Sequence, residues 1–192
     1  MKKLEKIVKV EILKFEELSQ TERTLIGLAC HARLNAQAPY SHYQVGCALI
    51  TSDKTVSVGC NVENVNWSET MHAEENAISS AIARIGICRI SSMAIVGGPE
   101  GQEVVWPPAK ISKQKHPSIK SVSDVCLSCG HCLQVIVENC FDENGKFDPT
   151  IPLLGYDGGE IYRATIGDAY PMPFLPQHLG INYSQDPRLK KK

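Results

Sequence analysis

Two short motifs contain residues that can bind a metal ion and move protons. His72 and Glu74 belong to H-A-E, and Cys129 and Cys132 belong to C-G-H-C. Two cysteines at this spacing can present both thiolates to one metal ion or form a redox pair. With a histidine they would give zinc three protein ligands and an open fourth position. A nearby carboxylate can then exchange protons with a water molecule that the metal acidifies.

The ligand set has alternatives at this point. Cys126 adds a third cysteine at the same spacing, so a closed structural site with four protein ligands is one alternative. His131, between the two cysteines, is another candidate ligand. A single histidine or a single acid at a helix start usually has no such role. The two motifs together are far less probable by chance, and H-x-E with P-C-x-x-C is the signature of zinc deaminases that act on nucleobases, which this chain matches except for Ser128 in place of the proline.

The elements that position these motifs alternate between strands and helices. Apolar or alternating stretches predict strands at 44–50, 55–60, 92–96, 151–154 and 161–166. A helix is predicted from the capping box of Ser19 and Glu22, with Pro39 as its end. Two more helices are predicted, over 72–85 and from Cys129 onward. Both metal motifs therefore open helices that follow strands, in a layered α/β domain.

The length of 192 residues suits one domain. We expect this domain to cover residues 19–180, after an N-terminal extension over 1–18 and before a polar tail over 181–192. Within it, residues 99–125 are rich in Pro, Lys, Ser and Gly, which indicates a surface insertion. The first 14 residues fit a strand and a helix about equally well.

Charge and composition limit the partners. Twenty basic and 21 acidic residues give a net charge of −1, which argues against nucleic-acid binding through a bulk positive field. No stretch reaches the roughly 18 apolar residues of a transmembrane helix, and the N-terminus lacks the apolar block of a signal peptide. The eight cysteines are then expected as reduced thiols and metal ligands. The sequence predicts a cytoplasmic protein without membrane or nucleic-acid partners.

Four stretches match the motifs of one known family. Pro39–Gly46 (PYSHYQVG) is similar to its P-Y-S-x-F-x-V-G, and Gly59–Asn64 (GCNVEN) is similar to its G-x-N-V-E-N. His72–Ile78 and Ser128–Val135 are similar to its two metal motifs, and Thr165–Leu179 is similar to its C-terminal L-P-x-x-F segment. On these motifs the chain resembles cytidine deaminases over most of its length. The N-V-E-N element indicates a free nucleoside as the substrate.

The resemblance implies a fold and a reaction. The fold is a three-layer α/β/α domain with a mixed sheet of about five strands and helices on both faces. The reaction is the hydrolytic deamination of cytidine and deoxycytidine to uridine and deoxyuridine plus ammonia, a step of pyrimidine salvage. The resemblance further implies that Zn²⁺ is held by His72, Cys129 and Cys132 and that Glu74 shuttles the protons.

The resemblance also implies how substrate is bound. Asn61 and Glu63 would hydrogen-bond a ribose hydroxyl, and Tyr43 would pack near the pyrimidine. Phe174 would reach the site of a neighbouring subunit in a homo-oligomer, for which a tetramer is favoured and a dimer is possible. The alternatives are a deaminase of another substrate, such as a modified nucleoside or a nucleic-acid base, and a non-catalytic structural zinc domain.

The chain departs from the family pattern at several positions. Ser128 stands where the family has Pro, Tyr43 stands where it has Phe, and Leu133 and Glu75 stand where it often has Arg. In relatives with three thiolate ligands an arginine can offset the extra negative charge. Because His72 replaces one thiolate here, the predicted site needs no such arginine.

Overall fold

A six-stranded mixed sheet forms the centre of the molecule. The computed structural model describes residues 2–108, 127–181 and 183. The strands are β1 (Glu11–Leu13), β2 (Tyr43–Thr51), β3 (Val56–Cys60), β4 (Ile90–Pro99), β5 (Pro152–Tyr156) and β6 (Ile161–Thr165). Their order in the sheet is β1-β6-β5-β4-β2-β3. Strands β4 and β5 are parallel, and the other neighbouring strands are antiparallel.

Helices cover both faces of this sheet. They are α1 (Gln20–Arg33), α2 (Ala73–Ile85), α3 (Gly130–Glu138) and the short α4 (Ile166–Ala169). Helix α1 packs on one face, and α2 and α3 pack side by side on the other. The predicted three-layer α/β/α architecture is therefore confirmed. Among the described residues, no helix is long and apolar enough to cross a lipid bilayer.

Alternation along the central strands divides the core into two layers. In β2, Cys47 and Leu49 face α2 and α3, whereas Ala48 faces α1. In β4, Ile95 faces α2 and α3 while Val96 faces α1. Successive strand residues point to opposite faces, so these nearly continuous apolar runs supply both layers. The buried centre of the sheet thus gives the metal-motif helices a rigid support.

Helix α1 begins as predicted and ends earlier than predicted. Ser19 N–H donates to the Glu22 carboxylate at 2.8 Å, and Ser19 Oγ accepts from Glu22 N–H at 3.3 Å. The prediction that Pro39 ends the helix was wrong, because α1 ends at Arg33. Beyond it three backbone hydrogen bonds connect residues three positions apart, as in a tightened turn, and Gln37 N–H then donates to the Asn61 carbonyl. The helix therefore ends at Arg33, where the chain turns to contact the segment around Asn61, and not at Pro39.

The strand β1 was not predicted with certainty. It pairs with β6 at the edge of the sheet, with Ile12 opposite Tyr162. Arg163 strengthens this edge, since its guanidinium donates to Glu11 at 2.7 Å and to Glu22 of α1 at 2.6 Å. Three residues are too few for a periodic signal, so only tertiary pairing defines this strand.

The first part of the predicted insertion is packed against the domain. Trp106 contacts the rings of Phe15 and Tyr156, each at 5.3 Å between centroids. Its indole N–H donates to the Arg23 carbonyl at 3.1 Å. Residues up to Pro108 therefore follow the α1 side of the molecule, and the insertion's remaining residues, 109–125, lie outside the described residues.

Candidate active site

The two metal motifs meet where α2 and α3 begin. His72 is the N-cap residue of α2, and Cys129 is the N-cap residue of α3. The two helices pack side by side on one face of the sheet. Both helices therefore direct their positive dipole ends and free N–H groups toward the same region, which favours negative ligands such as thiolates.

The three predicted ligands converge. The Nδ1 atom of His72 lies 3.2 Å from Cys132 Sγ and 3.5 Å from Cys129 Sγ. All three potential ligand atoms lie within 4.8 Å of one another. Zinc bonds of roughly 2.05 Å to nitrogen and 2.3 Å to sulfur, at tetrahedral angles, separate the two atoms by about 3.6 Å. The donor set therefore fits zinc in chemistry and in spacing.

Burial makes one of the two cysteine donors, Cys132, dependent on a cation for its deprotonation. Cys132 is fully buried, and desolvation, followed by the charge of Glu74 and by Cys129, raises the pKa of its thiol far above the usual value. A coordinated divalent cation reverses this effect and deprotonates the thiol. Cys129, in contrast, is exposed. The cluster is thus closed on the side of the core and open toward solvent.

Glu74 lies beside this cluster in the first turn of α2. Its side chain is buried, with 5% of the residue exposed, and its charge contributes to the raised pKa of both Cys132 and Cys47. Within the described part of the chain, the Glu74 carboxylate has no hydrogen bond or ion pair to another side chain. A buried carboxylate next to a metal site, with its oxygens uncommitted, can exchange protons with a bound molecule.

One alternative ligand, His131, does not join the described cluster. His131 Nε2 donates to Glu75 Oε1 at 2.8 Å, and its ring centroid is 6.1 Å from that of His72. The cluster of possible metal donors in the described residues contains His72, Cys129 and Cys132 without His131. Cys126 lies outside the described residues.

Asn61 and Glu63 hold the loop that leads into β2. Asn61 Oδ1 accepts from Val45 N–H at 2.8 Å, and its Nδ2 donates to the Tyr43 carbonyl at 2.9 Å. Glu63 Oε2 accepts from the N–H groups of Tyr40 and Ser41 at 2.9 and 3.1 Å. Each amide or carboxylate oxygen has further lone pairs, so both side chains can still bind a hydroxyl.

The hydrogen bonds to Glu63 also set its protonation. Desolvation alone would raise the pKa of this carboxyl. The Ser41 hydroxyl and the N–H groups of Tyr40 and Ser41 outweigh it and hold the pKa below its usual value. Glu63 is therefore an acceptor near neutral pH, as recognition of a sugar hydroxyl requires.

The two predicted aromatic residues lie at the surface of the single chain. Tyr43 is 46% exposed, and its ring lies against Gly97 of β4, where a Cβ atom would approach the ring to 3.1 Å. Phe174 is 55% exposed. Its backbone is fixed to α3 by Gln134, whose Nε2 donates to the Phe174 carbonyl at 2.7 Å. Neither ring belongs to the metal cluster.

Two supporting residues were not predicted from the sequence. Arg33 is almost fully buried, and its guanidinium donates to the carbonyls of Gln44 and Pro99, which ties α1 to β2 and β4 near Tyr43. Glu75 accepts from His72 N–H at 3.1 Å. An acid three residues after a helix-opening residue is a capping signal that could have identified Glu75. The partners of Arg33 depend on tertiary contacts and have no local signal.

Comparison of the sequence with known proteins identifies relatives of the chain. The sequence profile of the family described as "Cytidine and deoxycytidylate deaminase zinc-binding region" matches residues 19–143. A cytidine deaminase of Sporosarcina psychrophila is 32% identical over 155 residues, which cover 81% of this chain and 92% of that protein. A cytidine deaminase of Mycobacterium tuberculosis is 34% identical over 115 residues, which cover 60% of this chain and 68% of the relative.

Solved structures of similar proteins share the fold. The crystal structure of cytidine deaminase from Burkholderia pseudomallei superimposes with a TM-score of 0.57 at 31% identity, covering 82% of this chain and all of the other. The structure of cytidine deaminase from Mycobacterium tuberculosis gives a TM-score of 0.53 at 27% identity, covering 79% of this chain and 94% of the other.

Proposed function

The chain belongs to the cytidine and deoxycytidylate deaminase family, and from this premise we propose a reaction and an assignment of the site. The chain is a zinc-dependent hydrolytic enzyme that deaminates cytidine to uridine and ammonia. We extend the substrates to deoxycytidine and assign His72, Cys129 and Cys132 as the zinc ligands. One observation supports this assignment above all others: a nitrogen and two sulfur donors converge beside a buried carboxylate.

Each group of the site has a distinct chemical role. Zinc, when bound, supplies a Lewis acid that lowers the pKa of a coordinated water toward neutrality. Glu74 accepts a proton from water and delivers it to N3 of the pyrimidine while the water oxygen bonds to C4, so that the C4–N3 double bond becomes single and C4 becomes tetrahedral. Glu74 then takes the proton of the new C4 hydroxyl and gives it to the amino group, so that the bond from C4 to the amino nitrogen breaks, ammonia leaves and the C4 carbonyl of uridine forms. The buried position of Glu74 strengthens these interactions because bulk water is excluded.

Ammonia release tests the reaction. Purified protein of known zinc content is expected to release ammonia from cytidine and from deoxycytidine, and a zinc chelator is expected to stop both reactions. Uridine formation, followed by absorbance, should match the ammonia. Full zinc content without turnover of either nucleoside would contradict the proposed reaction and would favour another substrate or a structural zinc domain.

We propose that Asn61 and Glu63 bind the ribose and that Tyr43 packs near the pyrimidine. All three belong to one surface segment, which we call the rim and which consists of residues 40–45 and 61–63. Asn61 bonds the backbone of Val45 and of Tyr43, and Glu63 bonds the backbone of Tyr40 and Ser41. This connection means that a change in either polar residue also loosens the rim. The substrate contacts and the rim geometry are therefore coupled.

Replacing the ribose-binding residues is expected to weaken substrate binding. Glu63→Gln should raise KM for cytidine by about 10-fold, the size of one lost hydrogen bond to a charged group. It should change kcat less than KM, since the metal donors stay in place. Steady-state kinetics of Glu63→Gln and Asn61→Ala measure this. Unchanged KM values in both variants would remove these residues from ribose recognition.

We propose a homo-oligomer, with a tetramer favoured over a dimer, in which Phe174 reaches a neighbouring site. The exposure of Phe174 and its fixed backbone support this proposal. Light scattering should give four times the chain mass of 21.1 kDa. Phe174→Ala should then raise KM for cytidine without loss of zinc. A monomer with full activity would contradict both parts.

Location and organisation follow as further proposals. We place the enzyme in the cytoplasm, in pyrimidine salvage, without membrane or nucleic-acid partners, because the described cysteines are free thiols and the net charge is −1. We assign residues 19–180 to one domain, with 1–18 as an extension whose strand β1 joins the edge of the sheet, 99–125 as an insertion and 181–192 as a tail. Cell fractionation that recovers the chain with membranes would contradict this location.

A further inference from the structure

One carboxylate connects the two segments that carry the metal donors. Glu75 Oε2 accepts from the backbone N–H of His72 at 3.1 Å, and Glu75 Oε1 accepts from His131 Nε2 at 2.8 Å. His131 stands between Cys129 and Cys132 in the chain. We propose that this pair, the Glu75–His131 clip, positions His72 against the two cysteines and so slows the loss of zinc. The proposal rests on the ligand assignment made above.

The clip connects two helix starts that are far apart in the sequence. Fifty-six positions separate Glu75 from His131, and the intervening chain runs through β4 and the long insertion. Two helix starts joined through such a long connection need direct contacts to keep a fixed separation. The clip supplies one such contact, and the His131 ring centroid lies 6.1 Å from that of His72. A small displacement there changes ligand distances directly, because Glu75 bonds the backbone of a ligand residue.

The polarity of the pair excludes a simple charge-offset role for residue 75. An arginine at this position would add positive charge beside the thiolates, whereas Glu75 adds a carboxylate. The two Glu75 carboxylate oxygens accept from His131 Nε2 and from His72 N–H, so residue 75 serves as a hydrogen-bond acceptor. Residue 75 therefore acts by position: its carboxylate holds the His72 N–H at the start of α2 and the His131 side chain of α3 close together.

The sizes of two effects distinguish a role in positioning the zinc ligands from a role in stabilising the fold. The His131 side chain is 65% exposed and that of Glu75 is 24% exposed. Pairs this open to solvent contribute little to the free energy of unfolding. Residues that orient metal ligands, in contrast, typically change metal affinity or activity by about 10–100-fold when replaced. Loss of the clip should thus alter zinc retention far more than the melting temperature of the metal-free protein.

The test measures zinc release from the folded protein. His131→Ala changes an exposed side chain and leaves Glu75 to cap α2. It is expected to transfer zinc to a chromophoric chelator about 10-fold faster than the unchanged protein. The melting temperature of its metal-free form should stay the same. His131→Gln, which can still donate to Glu75, should restore part of the slow release. His31→Ala, an exposed histidine on α1 across the sheet, is the matched control and should release zinc at the normal rate.

A double-mutant cycle tests whether the two residues act as one unit. Glu75→Gln keeps an acceptor for His72 N–H. Both Glu75→Gln and Glu75→Ala should release zinc faster than the unchanged protein, and the increase should be smaller for Glu75→Gln. The double variant Glu75→Ala/His131→Ala should release zinc no faster than the faster single variant. The clip would be overturned if the fold-increase in zinc release of the double variant equalled the product of the two single fold-increases. It would also be overturned if His131→Ala released zinc at the rate of the unchanged protein.

The outcomes separate this inference from the ligand assignment. An unchanged protein that binds no zinc would overturn the ligand assignment and the clip with it. An unchanged protein that holds one zinc and turns over cytidine, with His131→Ala releasing zinc at the same rate, would overturn the clip alone.

Discussion

Glu74→Gln is expected to keep one zinc per chain and to lose cytidine turnover by about 10²–10⁴-fold, the range that general acid–base catalysis contributes. The amide has nearly the same size and can fill the same buried space beside Cys132. It cannot take a proton from water or return one to N3 and the leaving amine. Zinc analysis and steady-state kinetics on the same sample measure the two expectations together.

The control for this variant is an acid far from the donor cluster. Glu143 is exposed in the turn that follows α3, and Glu143→Gln should keep both zinc and turnover. Substrate binding to Glu74→Gln should survive, since the rim residues are unchanged. Turnover of Glu74→Gln within a few-fold of the unchanged protein would remove Glu74 from the mechanism.

Cys132→Ala is expected to abolish tight zinc binding and, with it, all measurable turnover. Cys132 is the most buried of the three donors, and its Sγ lies 3.2 Å from His72 Nδ1. Its removal leaves two protein ligands, one fewer than the three of a catalytic zinc site. The metal content after dialysis, followed by ammonia release with and without added zinc, measures both effects.

Cys126→Ser is the matched control for Cys132→Ala. Three donors already converge without it, so this variant should retain one zinc per chain and near-normal turnover. Loss of zinc in Cys126→Ser would instead favour the closed structural site with four protein ligands. Full zinc content and turnover in Cys132→Ala would contradict the ligand assignment.

Local chemistry explains why much of the fold was predictable. The helix starts at Ser19, His72 and Cys129 follow from capping residues and apolar periodicity, which depend on neighbours within a few positions. The five longer strands follow from apolar runs bounded by turn residues. The layers follow in turn, because each run must bury its apolar residues on both faces of the sheet.

Features set by distant contacts were not predictable in the same way. Strand β1 exists through its pairing with β6, and α1 ends at Arg33 where the following chain bonds the segment after β3. The second role of Asn61, as a bond partner of the backbone around Tyr43, also needs the folded arrangement. The same holds for the Glu75–His131 clip, whose partners lie on different helices.

A zinc titration of the metal-free protein, with ammonia release from cytidine as the readout, tests the proposed zinc-dependent reaction most directly. We expect turnover to rise linearly with added zinc and to stop rising at one zinc per chain, because the described residues contain one three-donor centre, beside Glu74. The proposed zinc-dependent deamination would be contradicted if zinc bound at one per chain while turnover stayed absent, or if turnover were already complete without zinc.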